Sequence, residues 1–228
     1  MEGLRDIADL RTVVVIDYQN VHLTGHDLFE SNGPLARHET LVDPLHLANQ
    51  LLRVRNERQQ QGMAHAVLSR VLVYRGEPSP NHDARAYARN QAQKAQWERD
   101  PRVEVNMRPL KYEYERDANG RKASGPDGKW IVTGRSEKGV DVLCALALVR
   151  EARQPDVDLV ILASHDSDLD PALDEAAALG SAKVETFCWF DPAQPHRARR
   201  KRQTRRNLWY TPLGHTEFVN SRDRTIYK

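Results

Sequence analysis

The 228-residue chain has two cysteines, Cys144 and Cys188, and both lie in apolar segments without CxxC spacing. A disulfide framework and a cysteine zinc site are thereby excluded, and the thiols read as small core residues. No apolar run approaches the roughly 18 residues that would span a bilayer. The opening stretch MEGLRDIADLRT carries acids where a secretory signal has an apolar core. These absences predict a cytoplasmic protein with no membrane partner. Glycine is missing from Tyr18 to Leu23, after the first apolar run, so the phosphate-cradling turn of a dinucleotide-binding domain is absent. Gln19 stands where an aspartyl-nucleophile phosphatase carries its second Asp. His22 and His26 have no third nitrogen or sulfur ligand at suitable spacing, which argues against zinc. There are no internal repeats.

What is present suits one α/β domain with a real core, since 39% of residues are apolar and 29% charged. The net charge of +2 conceals an asymmetry: residues 196–228 hold ten Lys or Arg against Glu217 and Asp223, which leaves the remainder acidic. The expected organisation is a domain over 1–195 followed by a basic C-terminal arm over 196–228. An acidic body with a basic arm fits a cation-binding cleft served by a segment that meets a polyanion.

Val13 to Ile16 is a β-branched run ending at Asp17, too continuous for a strand with one wet face, and predicts a central buried strand. Asp43-Pro44 reads as an N-cap with Pro at the first helical position. Leu45, Ala48, Leu51, Leu52 and Val54 then predict a helix over 44–60. Ala66 to Tyr74 is a second strand and 82–98 a polar helix. Val103, Val105 and Met107 alternate as a strand. Residues 112–135, with Asn119-Gly120 and Asp127-Gly128, predict an exposed hairpin or flap that covers the cleft or meets a second subunit of a homo-oligomer. Glu137 to Arg150 is apolar nearly all round and predicts a buried helix. Val157 to Ala163 is another central strand, Asp170-Pro171 starts a helix that Gly180 stops, and Val184 to Phe190 is the last strand. Such alternation implies a mostly parallel sheet with helices on both faces, and its functional crevice lies at the carboxyl ends of the strands.

Asp17 ends the first strand and Asp166 follows the Val157 to Ala163 strand, so both are expected in that crevice. Asp141, in the first turn of the apolar helix, and Asp168 complete a candidate cluster. Each has an ordinary alternative: Asp141 favours the helix dipole and Asp168 is a loop or capping residue, whereas Asp170 before Pro171 fits a cap best. Carboxylates packed closely repel and persist only with protons or a cation, for which Mg²⁺ or Mn²⁺ is the natural partner. The chemistry expected of such a site is phosphodiester hydrolysis.

Taken in order, Val13-Val14-Val15-Ile16-Asp17-Tyr18-Gln19-Asn20, Lys138-Gly139-Val140-Asp141 and Ser164-His165-Asp166-Ser167-Asp168-Leu169 with Pro171 resemble the NYN domain family, including its LabA-like branch, within the PIN-like nucleases. The motifs frame residues 12 to about 190. The resemblance implies a three-layer PIN-like fold and a hydrolase, an Mg²⁺- or Mn²⁺-dependent ribonuclease acting as an endonuclease. It implies metal ligands at Asp17, Asp141, Asp166 and Asp168, with Asn20 shaping the end of the first strand. Lys138 matches the family pattern and is expected to touch a substrate phosphate. His165 stands where many members have Gly, a departure expected either to alter the backbone before Asp166 or to place an imidazole, with Ser164, beside the substrate. The long 112–135 segment is a second departure.

Residues 196–206, HRARRKRQTRR, carry seven cations and precede Trp209 and Tyr210. Arg199, Arg200, Lys201, Arg202, Arg205 and Arg206 are therefore candidate phosphate contacts for RNA. The aromatic pair suits stacking on unpaired bases, which favours single-stranded RNA. Two other readings stay open: an RNA-binding adaptor of the same fold with little turnover, and the toxin of a toxin–antitoxin pair.

Overall fold

The computed structural model describes residues 8–194 and 203–227. In chain order the elements are β1 (Leu10–Asp17), α1 (Tyr18–Phe29), α2 (Pro44–Glu57), β2 (Ala66–Glu77), α3 (Ala84–Trp97), β3 (Val103–Pro109), β4 (Lys111–Tyr114), β5 (Val132–Ser136), α4 (Val140–Glu151), β6 (Leu159–Ala163), α5 (Asp170–Leu179), β7 (Lys183–Trp189), β8 (Tyr210–Leu213) and α6 (His215–Asn220). Six strands form one sheet in the order β3-β2-β1-β6-β7-β8, and every neighbouring pair is parallel. Among the described residues, no helix is long and apolar enough to cross a membrane.

The β-branched run of β1 is continuous because both of its faces are covered. Val14 and Ile16 pack with Val21, Leu47, Leu51 and Trp97 on one side. Val13 and Val15 pack with Cys144, Leu148 and Leu173 on the other. All four β1 side chains are fully buried, each stabilising by roughly 1.5–3 kcal/mol relative to exposure. The result is a three-layer α/β architecture of the PIN-like kind. The chain moves outward from β1 to β2 and β3, returns to β6 on the other side of β1, and continues to β7 and β8. The carboxyl ends of β1 and β6 thus flank the point where the winding reverses, which is where such sheets open a crevice.

The expected caps form: the Asp43 carboxylate accepts from the His46 amide at 2.9 Å, Pro44 opens α2, and Gly180 closes α5 at φ +70°. The 112–135 segment is a separate antiparallel pair, β4 with β5, enclosing two turns closed by Gly120 and Gly128, both at φ +75°. It is anchored to the start of α3, where Tyr112 Oη accepts from the Ser79 amide at 2.8 Å and Arg135 pairs with Asp83 at 3.0 Å.

Two expectations need correction, and one helix, α1, was not expected at all. It follows Asp17 directly. Its sequence, YQNVHLTGHDLF, has modest intrinsic propensity, and packing holds it: a Cβ on Gly25 would meet the Phe218 ring at 2.7 Å. The apolar helix α4 begins at Val140 rather than Glu137, because Gly139 turns through φ +75°. Most consequential, residues 203–227 are no arm. Strand β8 pairs with β7, Leu213 and Phe218 are fully buried, and the Asp223 carboxylate accepts from Trp97 Nε1 at 2.8 Å. Pro212 lies within β8, and the edge position of this strand is what tolerates it.

Candidate acidic site

Five carboxylates, Asp17, Asp27, Glu137, Asp141 and Asp166, line one cleft of about 470 Å³ together with Asn20 and Lys138; Asp27, exposed on α1, pairs with Arg37 at 3.0 Å. Asp17 arrives on β1 and Asp166 just beyond β6; Asp141 lies in the first turn of α4, and Glu137 in the link from β5. Asp17 is buried, Glu137 and Asp166 are half-buried, and Asp141 and Lys138 are exposed at the rim.

Asp17 is held rather than free. The Ser164 hydroxyl, itself fully buried, donates to Asp17 Oδ2 at 3.1 Å and accepts from the Asp166 amide at 3.0 Å. Asn20 Oδ1 accepts from the His165 amide at 2.7 Å, tying the first turn of α1 to the end of β6. The Asp166 carboxylate accepts from the Asp168 amide at 2.9 Å, which fixes its direction at the start of a short 3₁₀ turn. One Ser, one Asn and a turn therefore lock two acids at adjacent strand ends.

The electrostatics follow from this placement. Burial pushes the Asp17 carboxyl from 3.8 up to about 6; the Ser164 hydrogen bond opposes the rise, and the charges of Glu137 and Asp166 add to it. Burial also raises Glu137, whose Oε1 accepts from the Gly76 amide at 2.6 Å while Arg75 pulls in the opposite direction. Cys144, one turn along α4 from Asp141, is raised by burial and then by Asp17, Asp141, Glu137 and Asp166. Its thiol senses the negative field of these four acids.

Asp168 is the expected ligand that does not converge. It is exposed and lines a neighbouring cavity with Asp174, Glu175 and Arg205, because the 3₁₀ turn after Asp166 carries it away. Asp170 does not cap α5: it is buried, and its carboxylate accepts from the Gln203 amide at 2.7 Å. Ser164 is sealed from the cleft, so it positions Asp17 instead of meeting substrate. His165 Nε2 accepts from the Trp189 amide at 3.1 Å and its ring packs on Phe187, which binds the ends of β6 and β7 together. Arg205 donates its amide to Asp174 and Arg206 donates to the Ala177 carbonyl, so both fasten the chain to α5. Arg199, Arg200, Lys201 and Arg202 lie outside the described residues. Glu137 is the site acid that motif reasoning missed, although it directly precedes Lys138-Gly139-Val140-Asp141.

His22 and His26 have structural partners, the Arg37 carbonyl at 2.9 Å and Thr40 Oγ1 at 3.0 Å. Among the described residues, no three His, Cys, Asp or Glu side chains close into a ligand group for a metal ion. The acidic cleft nevertheless offers only oxygen donors, and Mg²⁺ commonly takes one or two carboxylates directly and keeps its remaining waters.

No family model and no curated protein matches the chain. A solved structure similar to it is that of a protein of unknown function from Vibrio parahaemolyticus, at 20% identity and a TM-score of 0.42, covering 80% of this chain and 83% of that one. So slight a likeness carries no argument about function.

Proposed function

We propose that the protein is an Mg²⁺- or Mn²⁺-dependent ribonuclease of the NYN type, cutting single-stranded RNA in the cleft between the ends of β1 and β6. The observation that carries this reading is the set Asp17, Glu137, Asp141 and Asp166 around one crevice at the reversal of strand order. Carboxylates so arranged are stabilised by a hard cation, which would offset both the burial of Asp17 and the repulsion from Glu137 and Asp166 that raise its carboxyl.

Asp17, Asp141 and Asp166 would hold the ion, with Glu137 beside them. When bound, the ion supplies a Lewis acid and a more acidic water for attack on the phosphodiester. The chain's own contribution is orientation. Ser164 and Asn20 fix the two strand-end acids before substrate arrives, so their alignment costs little at the moment of reaction. Lys138 at the rim offers a positive charge to a phosphate that the acids of the cleft would otherwise repel.

A second reading, an RNA-binding adaptor with little turnover, is favoured by the lack of a closed ligand group among the described residues. One experiment separates the two. Purified protein is incubated with labelled single-stranded RNA and Mg²⁺ or Mn²⁺, with EDTA as control. Cleavage that needs the divalent ion and falls by about two orders of magnitude or more in Asp17→Asn supports the nuclease. RNA binding without cleavage under either ion moves the assignment to the adaptor.

A further inference from the structure

Helix α1 separates two sites of opposite character. Gln19, Leu23 and Asp27 face the acidic cleft, whereas His22, one residue before Leu23, lines a larger cavity of about 920 Å³. Arg37, Arg75, Arg85, Arg89, Arg222 and Arg224 border that cavity, against only two acids, Glu39 and Asp223. Both acids are already engaged: Glu39 accepts from the Ala36 amide at 2.8 Å, and Asp223 accepts from Trp97 Nε1, the Thr225 amide and the Tyr227 hydroxyl. Arg37 pairs with Asp27 and Arg222 with Glu30. Arg85, Arg89 and Arg224 make no side-chain hydrogen bond or ion pair among the described residues, so the cavity keeps an excess of positive charge.

Arg75 is the deepest of these cations, and it forms no ion pair among the described residues; Glu137 of the acidic cleft acts on it through its field alone. Its guanidinium lies under the Tyr18 and Trp97 rings, 4.7 and 5.5 Å from their centroids. Its terminal nitrogens donate to Gln93 at 2.7 Å and Asn90 at 3.0 Å, both uncharged amides. Among the described residues its Nε is buried without a hydrogen-bond partner, and so is the Arg222 Nε on the same cavity. A desolvated guanidinium with no carboxylate in ion-pair contact is costly, and an anion seated beside it offsets the cost. Arg85 and Arg89 stand four residues apart on α3, one turn from each other, and present two more guanidinium groups to the same space. The walls also carry Leu41, Val219 and Tyr227. The space is within the range of small-ligand pockets and far exceeds what a bare phosphate would fill.

We propose that this cavity binds a phosphate-bearing nucleotide, either free or at the end of an RNA chain. Arg75, Arg85 and Arg89 take the phosphate by charge-assisted hydrogen bonds, and the apolar wall receives the base. Binding here would require no metal ion in the acidic cleft, whose lining shares no residue with this cavity. The full-length protein should be titrated calorimetrically in EDTA with 5′-AMP, adenosine, inorganic phosphate and a short 5′-phosphorylated oligoribonucleotide. Wild type is expected to take up 5′-AMP or the phosphorylated oligonucleotide but not adenosine. Binding of 5′-AMP makes the free nucleotide the ligand, and binding of the oligonucleotide alone makes it the chain end. The double variant Arg85→Gln, Arg89→Gln is expected to bind on the order of tenfold more weakly or worse, while Asp166→Asn binds as wild type does. Both arginines are on the surface side of α3, and an unchanged thermal melt verifies the fold. No binding of any phosphate probe, equal affinity in the double variant, or loss of binding in Asp166→Asn would overturn the proposal. Inorganic phosphate binding as tightly as 5′-AMP would overturn the nucleotide assignment.

Discussion

Asp17 carries the strongest electrostatic penalty in the acidic cleft, and its consequences are measurable without substrate. The folded state holds the Asp17 proton more tightly than the unfolded chain does, since the carboxyl is raised from 3.8 to about 6. The stabilising contribution of protonation is therefore fully present below pH 3.8, declines as pH rises, and is lost above about 6. Asp17→Asn is expected to melt higher than wild type at pH 7–8 in EDTA, by at most about 3 kcal/mol, with the gain shrinking toward zero by pH 4. A variant less stable at pH 8 would show that the Ser164 hydrogen bond outweighs the desolvation. The same scale distinguishes neighbours two residues apart. Asp166 faces the cleft and Asp168 does not, so Asp166→Asn should reduce divalent-dependent cleavage by about two orders of magnitude or more. Asp168→Asn should stay within about threefold of wild type, since no developing charge lies near it. Equal losses in the two variants, measured by single-turnover kinetics, would put Asp168 back among the ligands.

At the scale of elements, one buried ion pair joins the acidic site's scaffold to the far half of the sheet. Arg55 on α2 meets Glu185 on β7 through two contacts of 3.0 and 3.1 Å, with both side chains essentially inaccessible. Removing one partner strands the other charge, so Glu185→Gln is expected to cost about 3–5 kcal/mol in denaturant unfolding, whereas Arg55→Met with Glu185→Leu should recover much of it. A single variant within about 0.5 kcal/mol of wild type would mean that water reaches the pair. The elements also differ in how far their own residues announced them. Val13 to Ile16, the Asp43-Pro44 cap and the Gly180 stop were legible because each is a local signal, satisfied within a few residues of chain. Helix α1 was not, because its stability comes from Phe218 and Trp189 seated on Gly25, contacts nearly two hundred residues apart. Strand β8 is four residues long, contains Pro212 and follows a run of cations, so neither period nor propensity marked it. In the acidic site, Asp17, Asp141 and Asp166 could be read from strand ends and motif order. Asp168 was misplaced because a 3₁₀ turn intervenes, and Glu137 was overlooked because it was counted as the start of a helix that begins three residues later.

For the whole molecule, the question raised by the cationic segment over 196–228 is which charges serve a polyanion and which belong to the body. Residues 203–227 belong to the body: Asp170 and Asp174 accept the Gln203 and Arg205 amides, β8 covers the open side of β7, and Phe218 fills the space over Gly25. Phe218 alone is the kind of buried ring whose truncation costs about 3–5 kcal/mol, against a total stability of about 5–15 kcal/mol for an ordinary domain. Deleting 203–228 is therefore expected to abolish the cooperative thermal transition, not merely to weaken RNA binding. The informative variant leaves that part intact and replaces Arg199, Arg200, Lys201 and Arg202 with Gln. It is expected to melt within about 2 °C of wild type, and a larger drop would assign those cations to the folded body. Its affinity for single-stranded RNA, followed by fluorescence anisotropy across a KCl series, should fall, and the slope of log K against log salt should decrease by about 0.7–0.9 for each phosphate contact removed. Cleavage of RNA already bound should change far less than binding, because the acids of the cleft are untouched. A truncated chain that still melts cooperatively would return the 203–227 segment to the status of an arm, and an unchanged salt slope in the glutamine variant would remove those four cations from the RNA path.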